Sequence, residues 1–214
     1  MPDEERGPRA TSRGAVLQLL KVETHAMHER IESVVPLLRP GLKLSQYGHY
    51  LKRLLGYYRP LERQLAGFSG ELALSGFDFT ERLKTKFLEQ DLAALQMNSG
   101  EIADAPDCRF LPRTDTLASA WGVLYVLEGS TLGGQILSRR LRDALGLETS
   151  SGARFLNPYG ERTGSMWKGF AGALSGWSRS ESSDSQVVLA AQQTFTTLTA
   201  WLEERQDGRG TVGA

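Results

Sequence analysis

Glu128-Gly129-Ser130-Thr131-Leu132-Gly133-Gly134-Gln135 is the stretch on which the reading of this 214-residue chain turns. It lies in a segment whose apolar residues recur at helical spacing: Leu117, Trp121, Leu124, Tyr125, Leu127 and Leu132, then Ile136, Leu137 and Leu141. Three glycines in six residues weaken such a helix by about 1 kcal/mol each relative to alanine. Gly129 and Gly133 are four apart and share a face. Gly122, seven residues before Gly129, is expected near the same face. The result is a stripe without side chains. Two uses are open to it: close helix packing or a kink, or a wall on which a flat ligand lies against the backbone.

Composition narrows the class. Basic and acidic residues balance at 25 each, without the basic excess of a nucleic-acid binder. No run of 18 apolar residues occurs, so nothing reads as membrane-spanning; the apolar stretch over residues 117–127 stops at Glu128. The single cysteine, Cys108, excludes an internal disulfide framework and fits a reducing, cytoplasmic setting. Residues 1–13 are charged and rich in Pro and Gly, without a signal-peptide core. They read as a disordered extension, as do residues 206–214. Residues 14–205 between them suffice for one domain with a real core.

Helical spacing recurs outward from the glycine stretch. Residues 15–35 place Leu17, Leu20, Thr24, Met27, His28, Ile31 and Val35 on one stripe, ended by Pro36. A second helix is expected over 45–66 with Ser45 as its cap, and a third from Thr80 to residue 97. The glycine-bearing helix opens at Thr114 or Asp115 and ends near 145, with Gly146 as C-cap. Further helices are expected over 163–177 and from Asp184 onward. Residues 68–78 and 98–112 read as loop, and 178–184 as a flexible link. Nothing reads as strand. The pattern is an all-α single domain of about six main helices. Within it His28 lies on the apolar stripe and His25 on its flank; a histidine so placed serves either as a hydrogen-bonded core residue or as a ligand.

Leu127-Glu128-Gly129-Ser130-Thr131-Leu132-Gly133-Gly134-Gln135 resembles the distal-helix motif of heme oxygenases, closest to the bacterial branch that accompanies bacteriophytochromes. Leu20-Lys21-Val22-Glu23-Thr24-His25-Ala26-Met27-His28 resembles the family's proximal-helix motif, in which a threonine precedes the iron-ligating histidine by four. The resemblance runs from Leu20 to Trp201, with its two anchors roughly 100 residues apart in the family's order. It implies a single-domain helical bundle of the heme oxygenase type, with heme between the first helix and the glycine-bearing one. It selects His28 as the iron ligand rather than His25, with Glu32 one turn on to accept its ring N–H. The implied reaction oxidises heme at one meso carbon to biliverdin, carbon monoxide and ferrous iron. It consumes O2 and electrons from an external donor, a ferredoxin or flavoprotein reductase. Delivery of biliverdin to a bacteriophytochrome is a further expectation; neither nucleic acid nor a membrane is.

The same resemblance makes Gly129, Ser130, Gly133 and Gly134 the catalytic wall. Lys21 matches a family contact to a heme propionate, Lys168 is a second match, and Tyr125 and Tyr159 could add hydroxyl donors. Each lysine could equally be a solvated surface charge. Many family members carry an aspartate just after the first motif glycine, where this chain has Ser130. A hydroxyl orients water but carries no charge, so the proton relay stays unassigned. Three alternatives compete: a heme-storage protein without turnover, another enzyme on the same scaffold, and a helical interaction module. A thiaminase-like enzyme needs a nucleophilic cysteine, and Cys108 falls in a predicted loop.

Overall fold

The computed structural model describes residues 14–204; the extensions expected over 1–13 and 206–214 lie outside the described residues. Nine α-helices and three short 3-10 turns occur among the described residues, and no strand. The first expected helix is two, α1 (Ala15–Glu23) and α2 (His25–Val34). Thr24 interrupts them with φ −111° and ψ 1°. Its Oγ1 donates to the Leu20 carbonyl at 2.7 Å, beside its own amide at 3.0 Å. Such back-bonding competes with regular helix geometry. The break lies one turn before His28. α1 buries Val16 and Leu20, whereas α2 buries no residue fully.

α3 (Leu44–Ala66) is capped by Lys43 rather than Ser45, and the Gln46 side chain accepts from the Lys43 amide at 2.9 Å. The expected loop after it contains α4 (Ser69–Leu74). Asp78, not Thr80, is the cap that follows: its Oδ1 accepts from the Thr80 amide at 2.8 Å. That cap opens only the 3-10 turn Phe79–Arg82. The helix proper, α5 (Thr85–Ala94), begins where the buried Glu62 carboxylate of α3 accepts the Lys84 and Thr85 amides. An acid from another helix thus sets the boundary, which no local pattern reveals. α6 (Ser99–Ala103), capped by Asn98, lies in the expected connection.

The glycine-bearing helix is α7 (Leu117–Leu145), capped by Thr116 rather than Thr114 or Asp115. Gly146 closes it in the left-handed region, φ 69°, as a C-terminal glycine should. α8 (Thr163–Trp177) has the expected bounds. α9 (Glu181–Glu203) starts three residues before Asp184, with Ser180 as its cap. Asp184 is instead buried inside the helix and accepts from Ser178 Oγ at 2.5 Å.

α7 packs along α9, with α8 on another side and α3 backing the core. Trp121 of α7 meets Phe77 and Phe170 at ring-centroid distances of 5.4 and 5.8 Å. Gly122 does not join the ligand wall. A Cβ there would overlap the Val187 carbonyl oxygen and crowd Ala190 and Ala191. It is the packing glycine that lets α9 cross α7.

Candidate functional site

Beyond that crossing, the space beside α7 opens into a cavity of about 450 Å3, within the range of small-molecule sites. His28, Ile31, Glu32 and Val35 of α2 form one side, and residues 129–134 with Leu137 of α7 another. Tyr50, Leu54 and Tyr58 of α3, Leu198 and Leu202 of α9, and Phe155 and Leu156 after α7 close the rest. The lining is mostly aliphatic and aromatic, which suits a flat apolar ligand.

His28 is 56% exposed at the cavity side. Its Nδ1 lies 3.6 Å from Glu32 Oε1. Phe195 meets its ring edge-on at 5.9 Å between centroids. The ring is thus held from two sides, and Nε2 has no hydrogen-bond partner among the described residues. His25 is 71% exposed, lies 3.5 Å from Glu29 and does not line the cavity.

The motif glycines have different neighbours. At Gly133 an added Cβ would meet nothing within 4 Å; at Gly129 it would touch Trp167 at 3.8 Å. At Gly134 it would overlap the Leu156 carbonyl oxygen. Gly133→Ala should therefore leave the melting temperature unchanged or higher, by up to about 1 kcal/mol of stability. Gly134→Ala should destabilise by about 1–3 kcal/mol, the usual scale of overpacking. Thermal unfolding of the two variants side by side checks both expectations.

Ser130 Oγ donates to the Leu127 carbonyl at 2.8 Å. Lys21, Tyr125, Tyr159 and Lys168 do not line the cavity. Lys21 and Lys168 are exposed on α1 and α8, without an ion-pair partner among the described residues. Tyr125 meets Trp167 in a tilted pair with ring centroids 5.9 Å apart. Tyr159 is committed elsewhere: its hydroxyl donates to Glu128 Oε1 at 2.8 Å, and burial pushes its pKa up to about 12.

Glu128 is the centre of a cluster that sequence reasoning missed. It is 1% exposed, with Lys84 Nζ at 2.6 Å from Oε1 and an Arg82 nitrogen at 2.7 Å from Oε2. Burial pushes the Glu128 carboxyl up, but the Lys84 and Arg82 charges prevail and hold it below its ordinary value. For Lys84, burial works against the charge; Glu128 overrides it and holds the ammonium above its ordinary value. Lys84 also lines the cavity.

Asp91 was missed as well. It is 1% exposed and accepts the Arg154 and Phe155 amides at 2.7 and 2.8 Å. Those bonds hold Phe155 in the cavity wall, edge-on to Tyr58 at 5.2 Å. Burial pushes the Asp91 carboxyl up to about 6, against the pull of the two amides. A raised folded pKa contributes stability that is full below the ordinary carboxylate pKa and is lost as pH rises through about 6. Between pH 4 and 7, Asp91→Asn should accordingly gain roughly 2–3 kcal/mol relative to the parent chain. Urea unfolding of both proteins across that range measures the difference.

No helix among the described residues is long and apolar enough to cross a membrane. Residues 15–204 match the family model described as heme oxygenase. A heme oxygenase of Xanthomonas campestris is 34% identical over 96 residues, 45% of this chain and 53% of that protein. The match thus spans about half the length of that relative. Heme oxygenase PigA of Pseudomonas aeruginosa is 27% identical over 197 residues, 92% of this chain and 96% of that protein. Among solved structures, heme oxygenase from Leptospira interrogans superposes with a TM-score of 0.72 at 18% identity, covering 87% of this chain and 98% of that one. Neisseria meningitidis heme oxygenase, solved with NO and CO bound, gives 0.67 at 20% identity, covering 93% and 98%. Heme oxygenase-1 of the cyanobacterium Synechocystis, solved with heme, gives 0.68 at 19% identity, covering 87% and 90%. At these identities the structures speak for the fold.

Proposed function

We propose, since this chain belongs to the heme oxygenase family, that its cavity takes heme as substrate and that the chain cleaves it to biliverdin, carbon monoxide and ferrous iron. One observation carries the reading: a single apolar cavity has His28 on one side and the side-chain-free Gly133 on another. Heme, when bound, supplies the iron and the ring carbon that is oxidised. His28 holds the iron through Nε2, and Glu32 sets the imidazole tautomer through Nδ1. Gly133 lets the α7 backbone approach the ring face, with Gly129 and Ser130 beside it. Gly134 serves α7 by admitting Leu156. The aliphatic wall excludes water from the ring.

Ring orientation falls to exposed cations, although none of the candidates lines the cavity. Lys21 is our first candidate for a propionate, and Lys168 and the Tyr125 hydroxyl are further ones. An exposed pair of this kind is worth about 0–1 kcal/mol, enough to bias which meso carbon is attacked but not to set affinity. Electrons come from a ferredoxin or flavoprotein reductase in the cytoplasm. Biliverdin passes to a bacteriophytochrome; the likeness of the 127–135 motif to that branch supports this. The test is direct: load the chain with hemin, record the visible spectrum, then supply a reductant system under O2. Biliverdin absorbance is the expected product. Bound hemin that persists unchanged would make the chain a heme-storage protein instead.

A further inference from the structure

The buried Lys84–Glu128–Arg82 cluster is more than a structural staple. Glu128 directly precedes Gly129, so the cluster sits at the α7 side of the cavity, away from His28 on α2. Lys84 Nζ donates to Glu128 Oε1 at 2.6 Å and to the Arg82 carbonyl at 3.3 Å. An ammonium has three N–H groups. Two have these acceptors, the Tyr159 ring lies 5.4 Å from the Nζ, and the residue lines the cavity. Arg82 takes Glu128 Oε2, so two cations share one carboxylate. Glu62, the other acid of this layer, faces the Lys84 and Thr85 amides. Tyr58 and Ser130 line the same cavity as Lys84.

We propose that Lys84, clamped by Glu128, is the fixed cation of the distal side. The proposal rests on the heme oxygenase reading. Lys84 keeps its proton throughout: it stabilises negative charge developing on the oxygen that enters the distal side. Fixed donors in a water-poor cavity are worth far more than the same groups in water. The protons that leave with the cleaved oxygen as water come from solvent. The electrons are those of the external reductase. Ser130 carries no charge of its own, and Lys84 supplies one from the segment just before α5.

The experiment uses the hemin-loaded full chain and reads the distal electrostatics apart from turnover. In Lys84→Met the acid–alkaline transition of the ferric complex should rise by about one pH unit, since hydroxide loses its cation. The C–O stretch of the ferrous CO complex should move to higher frequency, and biliverdin formation should slow about tenfold with hemin affinity within about threefold. Lys84→Arg should stay near the parent in all three. Should Lys84→Met fail to fold with Glu128 unpaired, the double variant Lys84→Met/Glu128→Gln removes both charges and is read the same way. A parent-like transition and C–O stretch in a folded variant lacking Lys84 would overturn the assignment. A parent chain that binds hemin yet yields no biliverdin would overturn the reaction instead, and the two spectra would still decide Lys84.

Discussion

Substituting His28 by alanine should abolish the histidine-ligated heme spectrum and, with it, biliverdin formation, while His25→Ala leaves both near the parent. The expectation follows from position. Both histidines are exposed, and both have a glutamate one turn on at 3.5–3.6 Å. Only His28 lines the cavity, and only its ring is braced by Phe195. Because α2 buries no residue fully, His28→Ala should hardly change stability; the loss is one of ligation. Glu32→Ala should act in the same direction and more weakly. Removing a carboxylate behind a ligating histidine typically costs 10–100-fold in affinity or activity. The exposure of this pair puts it at the low end. Hemin titration with visible spectra of the three variants decides the matter, and a His25→Ala variant that lost the spectrum would reverse the assignment.

Glu128→Ala should destabilise the fold by about 3–5 kcal/mol, the scale for removing one partner of a buried ion pair. The loss is large because Lys84 and Arg82 are both buried, at 2% and 8% exposure, and neither has another acid within bonding distance among the described residues. The Tyr159 hydroxyl loses its acceptor too. For a domain of this size the melting temperature should fall by roughly 10 °C. Glu128→Gln keeps the volume and one acceptor and should lose less. The depressed Glu128 pKa adds a pH signature: its contribution is present above the ordinary carboxylate pKa and disappears as pH falls through the lower folded value. A loss under about 1 kcal/mol in urea unfolding of Glu128→Ala would mean that water reaches the cluster and screens it.

The sequence by itself determined the class and the two facing segments. Apolar residues at a spacing near 3.6 are a local property, so α3, α7 and α8 were legible to within two or three residues, and Gly146 marked the end of α7. The two motifs, 20–28 and 127–135, named His28 and the glycine stretch. Local pattern could not show what distant residues decide. Thr24 has the spacing of an ordinary stripe position, yet its hydroxyl bonds back to Leu20 and splits the first helix. α5 begins at Thr85 because Glu62, more than 20 residues earlier, accepts its first amides. Gly122, Gly133 and Gly134 are the same residue on one helix. Their roles differ because α9 presses on the first, Leu156 on the third and nothing on the second. Glu128 stood in the quoted stretch, but Arg82 and Lys84 come to it from 46 and 44 residues away. A buried charge is defined by what surrounds it, and only the packed helices bring those surroundings together.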